Sequence, residues 1–173
     1  MVVMAVAVAL TLASQYIAGP IYRGIAGFMP FDAQPSLSRF MIAVELGASV
    51  NDGASSAYIL FALVDAAAVI AAAWTFALLW LWLFITVPTR LFAFLMRGGI
   101  VLLPFYVVVL DIVAKVAFFR LIGGLSGASY ATTIECVAFV HRLKFALVDL
   151  RNYLTAALLL AGVLAVFLKH RRR

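Results

Sequence analysis

An uncharged run of 24 residues, Ala66–Thr89, constrains the fold of this chain more than any other feature. At about 1.5 Å of rise per residue it forms a helix of about 36 Å, which is long enough to cross the hydrocarbon core of a bilayer. A second run, Gly98–Phe119, also has spanning length, although it contains Asp111 and Lys115. These two runs are therefore predicted to form two consecutive membrane-crossing helices.

The composition indicates that lipid surrounds most of the chain. Hydrophobic residues make up 67% of the sequence and charged residues 12%, whereas a soluble domain has about 45–50% and about 25%. With a mean hydropathy of +1.17, the chain has too little polar sequence to cover a water-soluble surface. We therefore predict an all-α integral membrane protein that forms a single membrane domain over residues 1–173.

Four apolar segments are predicted to span the bilayer, and two other segments differ from them in composition. The spans are expected near residues 1–18, 58–87, 99–119 and 152–168, the last being short for a span. Residues 20–56, which contain Pro20, Pro30 and Pro35, are predicted to form an extramembrane segment with a short helix that ends at about Gly47. Residues 128–151 are predicted to form an amphipathic helix on the membrane surface or against a partner.

The predicted amphipathic helix carries an apolar stripe between two polar flanks. The stripe consists of Cys136, Phe139, Val140, Leu143, Leu147 and Leu150. One flank holds Glu135, Arg142 and Asp149, which are seven residues apart, and the other holds His141, Lys144 and Arg151. The first flank is a candidate contact surface for a partner protein.

Asp111 is the most unusual residue, because it lies 14 residues after Arg97 and 9 before Arg120, well inside a predicted span. A charged group near the centre of a membrane helix costs about 2.5–3.5 kcal/mol on insertion scales, so it needs a partner, water or a proton. Lys115 lies four residues later on the same helical face and can pair with it. The pair can form a polar notch that docks another helix, a proton or ion relay, or the counter-ion of a ligand.

Asp65 is the third polar candidate within the membrane. If the second and third spans are antiparallel, Asp65 lies about 10 Å nearer the surface than Lys115, so direct pairing requires an offset between the helices. Asp65 is therefore predicted to mark the entry of its helix into the membrane. Further along the same span, Ala68 and Ala72 are small residues four apart, which are predicted to let a partner helix approach closely.

Several classes of protein find no support in the sequence. Cys136 is the only cysteine, so one chain cannot form an internal disulfide or a cysteine-cluster metal site. We find no catalytic triad, zinc-protease motif, phosphate loop or dinucleotide fingerprint, and we predict no enzyme, cofactor or metal site. Nucleic-acid binding is not expected either, since the basic residues flank apolar segments. The basic tail is predicted to bind lipid head groups through Lys169, Arg171, Arg172 and Arg173.

The orientation in the membrane follows only weakly from the charges. Four spans place both termini on one side, and six Lys or Arg residues are expected on each side of the membrane. Because the basic tail adjoins a span directly, we predict that both termini lie on the cytoplasmic side. The membrane is predicted to be a cell membrane or an inner membrane.

The functional prediction is a small non-catalytic subunit or assembly factor that binds a larger membrane complex or itself. Four short spans enclose little volume, and the few polar groups are widely spread. The alternative is an oligomeric ion or proton transporter or channel in which Asp111 faces the pathway.

Overall fold

The computed structural model of this chain describes residues 2–34, 38–48, 54–87, 89–122 and 128–171. Within these ranges the chain forms helices and short connections and contains no strand. The α-helices are α1 Val2–Ala13, α2 Gly19–Ala26, α3 Arg39–Ala48, α4 Ala54–Thr86, α5 Arg90–Arg97, α6 Leu103–Ile122 and α7 Ala128–Arg171. Short 3-10 turns at Phe31–Ala33 and Ile100–Leu102 complete the described elements.

Four stretches of helix are long and apolar enough to cross a membrane, which confirms the prediction of an all-α chain with about four candidate spans. They are Val2–Ala26, Ser56–Thr86, Ile100–Leu121 and Tyr130–Leu168. Neighbours in sequence pack against each other: α1 lies on α4, α4 on α6, and α6 on α7. Helices α4 and α6 run antiparallel, since Asp65 contacts Lys115 near one end and Trp74 contacts Phe105 near the other.

The first span is longer than predicted, because Gly19-Pro20 does not end it. Residues Ser14–Ala18 form a π-helical turn that joins α1 to α2, and the Gly19 N–H donates to the Ser14 carbonyl five residues earlier. Proline is tolerated in the first turn of a helix, where its missing N–H has no partner to lose. Pro20 lies in that position in α2. The segment from 20 to 26, predicted to be extramembrane, therefore continues the first helix.

The predicted break between a surface helix over 128–151 and a span over 152–168 is absent from the structure. One α-helix of 44 residues runs from Ala128 to Arg171. No glycine or proline occurs between Ala128 and Ala161, so nothing in the backbone ends the helix near residue 152. Polar residues there are accommodated locally, since the Thr155 hydroxyl donates to the Arg151 carbonyl at 2.7 Å.

Helix α7 buries His141 and Lys144 of one polar flank inside the bundle and exposes much of the apolar stripe, which the sequence does not predict. His141 and Lys144 are 0% and 6% exposed, whereas Phe139 and Leu143 of the stripe are 61% and 40% exposed. In water an apolar stripe is buried, but in lipid the hydrocarbon solvates it and the polar groups must find partners inside the protein. The outward orientation of the stripe is therefore consistent with a membrane helix.

Two apolar clusters lie at opposite ends of the bundle. One joins the α2 end of the first span to the 3-10 turn, where Phe31 stacks on Phe118 of α6 with ring centroids 4.6 Å apart. The other surrounds the fully buried Trp80 and includes Phe92 of α5 and Leu158 of α7. The charged side chains of the bundle interior lie between these two clusters.

We expect Thr155→Val to destabilise the contact between α4 and α7. The Trp80 indole N–H donates to Thr155 Oγ1 at 2.9 Å in a buried position, and an orphaned buried donor costs about 1–3 kcal/mol. Thr155→Ser keeps the hydroxyl and serves as the control. The measurement is the free energy of unfolding in detergent micelles by denaturant titration. Equal stability of the two variants would contradict this role for the hydroxyl.

Candidate functional site

The centre of the site is Asp111, whose carboxylate lies between two ammonium groups. Its Oδ2 atom lies 2.5 Å from Lys115 Nζ and its Oδ1 atom 2.8 Å from Lys144 Nζ. The Asp111 side chain is 1% exposed and each lysine side chain 7% exposed. Asp111 and Lys115 both belong to α6, whereas Lys144 belongs to α7. The ionic hydrogen bond between Asp111 and Lys144 therefore connects the two helices.

Lys115 extends this charge network to the other two spans. Its Nζ atom also lies 2.8 Å from Asp65 Oδ2 on α4. The other oxygen of Asp65, Oδ1, accepts a hydrogen bond from the Ser14 hydroxyl at 2.8 Å. Ser14 begins the π turn of the first span. The network thus runs through all four candidate spans, from Ser14 through Asp65, Lys115 and Asp111 to Lys144.

The sequence indicated part of this network. The i,i+4 spacing predicts the contact between Asp111 and Lys115 that the structure contains. That Asp65 marks the membrane entry of its helix stays a prediction, but the structure gives Asp65 a partner on α6. Helix α4 begins 11 residues earlier at Ala54, about 16 Å away, and the register of α4 against α6 places Asp65 level with Lys115. The offset that direct pairing requires is therefore present.

Lys144 and Ser14 belong to the network but were not among the predicted intramembrane residues. The polar notch of Asp111 and Lys115 docks another helix, as one interpretation expected, but that helix is α7 of the same chain. The signal for Lys144 was present in the sequence, because His141, Lys144 and Arg151 share one flank. The predicted surface helix places these residues at the membrane surface. On a helix that lipid surrounds, a polar flank is instead expected to face the interior of the protein.

A cavity of about 550 Å³ adjoins the network between the first span and α7. Thr11 and Gln15 of the first span line one side, and Phe145 and Val148 of α7 line the other. Its floor comes from α4 and α6, including Asp65 and Asp111 themselves. The cavity forms there because α1 packs mainly on α4 and α7 mainly on α6, which leaves the two outer helices apart.

Arg151 also lines the cavity, two helical turns from Lys144 on the same face of α7. Its guanidinium lies over the Phe76 ring, 4.1 Å from the centroid. Its Nε and Nη2 atoms donate to the Asn152 side-chain oxygen at 3.3 and 3.1 Å. Among the described residues no carboxylate lies within ion-pair distance of Arg151, and the cavity therefore presents a half-buried cation without a counter-ion.

His141 fixes the segment that closes one end of the bundle. Its Nε2 atom lies 2.6 Å from the Gln34 carbonyl oxygen, which can only accept a hydrogen bond, so Nε2 is the donor. The Gln34 side chain in turn donates to the Met29 carbonyl at 2.9 Å. Since Met29 and Ala33 line the cavity, this connection positions residues 29–34 against α7.

The predicted partner-contact residues fall on two different surfaces. Ala68 is buried and lines the cavity together with Ala72, so both face the interior of the bundle. In contrast, Glu135, Arg142 and Asp149 are exposed on α7. For the predicted head-group contacts, Arg172 and Arg173 lie outside the described residues, as do the side chains of Lys169 and Arg171.

Neither a metal site nor a likeness to known proteins adds to this description. In the part of the chain that the structure describes, no three His, Cys, Asp or Glu side chains are placed to hold a metal ion. No protein-family model, curated protein or solved structure matches this chain. The function is therefore inferred from the geometry of the site.

We expect Asp111→Asn to lower the free energy of unfolding by about 3–5 kcal/mol, the usual cost of removing one partner of a buried ion pair. Adding Lys144→Met should recover part of that loss, because it removes an ammonium group that has lost its carboxylate. Asp149→Asn changes an exposed carboxylate on α7 and should stay within about 0.5 kcal/mol of wild type. Denaturant titration in detergent measures all three. An Asp111→Asn protein as stable as Asp149→Asn would show that the network does not hold the helices together.

Proposed function

We propose that this protein is a non-catalytic integral membrane subunit that binds a larger membrane protein through the outer face of α7. The support comes from two adjacent surfaces of opposite character on one helix. Exposed charged residues form a ridge of Glu135, Arg142 and Asp149. Beside this charged ridge lies the exposed apolar stripe, in which Phe139 and Leu150 are 61% and 50% exposed.

No single solvent suits both surfaces. Hydrocarbon solvates the apolar stripe but not the charges of the ridge, whose transfer into lipid costs several kcal/mol. Water solvates the ridge but leaves large apolar side chains exposed along the same turns of helix. A partner helix with apolar and charged positions satisfies both, as the paired seams of coiled coils do. The presence of these two surfaces side by side on α7 is the main support for the proposal.

Two members of the ridge lack a charged partner among the described residues. The Arg142 guanidinium makes one hydrogen bond, from Nε to the Ala138 carbonyl of its own helix at 3.2 Å. Asp149 makes no hydrogen bond or ion pair with the residues that the structure describes. Both charges are therefore available to a second protein.

The order of charges along the ridge favours a different protein over a second copy. A two-fold axis along the membrane normal places identical residues at the same height, so Arg142 would face Arg142 and Asp149 would face Asp149. Like charges in contact are unfavourable. A partner helix that carries acidic residues opposite Arg142 and basic residues opposite Glu135 and Asp149 avoids this repulsion.

We expect Arg142→Glu to dissociate the native complex, because it places three acidic residues in a row along the ridge. The measurement is the mass of the complex purified from native membrane in mild detergent, by native gel and native mass spectrometry. Arg90→Glu makes the same charge change at an exposed position on α5 and should leave the mass unchanged. A wild-type protein that is a lone monomer under these conditions would contradict the proposal, as would an Arg142→Glu complex of unchanged mass.

Ion or proton transport is the second candidate, because both carboxylates of the network line the cavity. The weakness of this candidate is that each carboxylate is already held by an ammonium group at 2.5–2.8 Å. Buried groups in close ion pairs exchange protons or ions only if those pairs open. The geometry therefore supports a structural network better than a conducting one.

For the transport candidate, wild-type protein in liposomes should carry a proton or ion flux under an imposed gradient. Asp111→Asn should abolish the flux while the protein still assembles, because the substitution removes the titratable oxygen from the cavity. Asp149→Asn, on the outer face of α7, should conduct like wild type. Liposomes that hold wild-type protein but show no flux above the empty control would exclude transport as the function.

A further inference from the structure

We propose that the cavity between the first span and α7 binds an amphiphile with a single anionic head group, which Arg151 holds. This site is distinct from the outer ridge of α7, so it goes beyond the proposed function. The ligand class follows from the volume of the cavity, the charge around it and the apolar character of its walls.

The volume of the cavity suits a small molecule. At about 550 Å³, the cavity falls in the range of about 300–1,000 Å³ that is usual for small-molecule sites.

The charge around the cavity selects an anion. The charged side chains that line the cavity are Lys144, Arg151, Asp65 and Asp111. Lys115 is not part of the lining but pairs with both carboxylates, so these five groups together carry one excess positive charge. The ion pairs of the network account for both carboxylates, and Arg151 takes part in none of them. The excess charge therefore belongs to the Arg151 guanidinium.

The geometry of Arg151 suits a carboxylate or phosphate head group. The Phe76 ring lies against the guanidinium at 4.1 Å and Asn152 receives its Nε and Nη2 donors, so the group is held in place before a ligand arrives. A guanidinium has five N–H donors in a planar fork. Its Nη1 atom has no acceptor among the residues described, and Arg151 lines the cavity, where an anion can bind.

The walls next to Arg151 suit an alkyl chain. Val148 lies one helical turn from Arg151 on the same face of α7, and Phe145 lies nearly one turn further. Val69 and Val107 contribute apolar surface from α4 and α6. A free inorganic anion makes no use of these side chains, whereas an amphiphile dissolved in the membrane satisfies the charge and the apolar walls together.

The test uses the purified full-length protein in a neutral detergent and measures binding of hexadecanoic acid by native mass spectrometry and calorimetry. Wild type should bind one molecule saturably, and hexadecanol, which lacks the charge, should bind at least tenfold more weakly. Inorganic phosphate should not displace the acid at millimolar concentration. An alcohol that binds as tightly as the acid, or displacement by phosphate alone, would overturn the proposal.

Variants locate the binding in the cavity. Arg151→Gln should weaken binding of the acid at least tenfold and leave that of the alcohol unchanged, whereas Arg120→Gln, at an exposed position on α6, should bind both like wild type. Val148→Phe fills the cavity and keeps Arg151, so it should also weaken binding of the acid at least tenfold. If thermal unfolding shows that Arg151→Gln does not fold, Val148→Phe still tests the proposal. Unchanged binding by Val148→Phe, or an equal loss in Arg120→Gln, would show that the acid binds elsewhere.

Discussion

The Asp111 carboxylate between two lysine ammonium groups is the interaction on which the rest of this structure depends. A carboxylate that is 1% exposed cannot remain charged without close cationic partners. Its two partners come from α6 and α7, and one of them, Lys115, also binds Asp65 on α4. A shift of one helix by one turn, about 5.4 Å, would break the contacts between helices, which are Lys115 with Asp65 and Lys144 with Asp111. The network therefore sets the register of three helices at once.

A lipid environment, with which the four candidate spans are consistent, would explain why the interior of the bundle is polar at its centre. Between the two apolar clusters, a soluble protein would continue its hydrophobic core, because burial of apolar surface is what stabilises it in water. Hydrocarbon removes that gain, so specific hydrogen bonds and close packing define how membrane helices meet. The π turn of the first span contributes directly, since it begins at Ser14, whose hydroxyl binds Asp65. Such turns absorb an extra residue and reorient a side chain without ending the helix.

The features that could be predicted from the sequence were local ones. Apolar runs of spanning length predict the four candidate spans. A spacing of four residues on one helix predicts the contact of Asp111 with Lys115. The contacts of Asp65 and Lys144 depend on how far one helix slides along another, which no single segment encodes. Proline usually ends a helix, so the sequence predicts that the first span ends before Pro20. In the structure the preceding π turn accommodates Pro20 within the helix. The sequence does not predict the burial of Lys144, because a helix with an apolar stripe between polar flanks is expected to lie on a membrane surface, where its charges stay in water.

Helix α7 presents two polar surfaces that follow the same seven-residue spacing on different faces. Lys144 and Arg151 face inward, whereas Arg142 and Asp149 face outward. A ligand on the inner face could influence a partner on the outer face only by rotating or sliding α7. The ion pair of Lys144 with Asp111 opposes both movements, and so does the hydrogen bond from Trp80 to Thr155. The two surfaces are therefore expected to act independently, with the charge network as the fixed point between them.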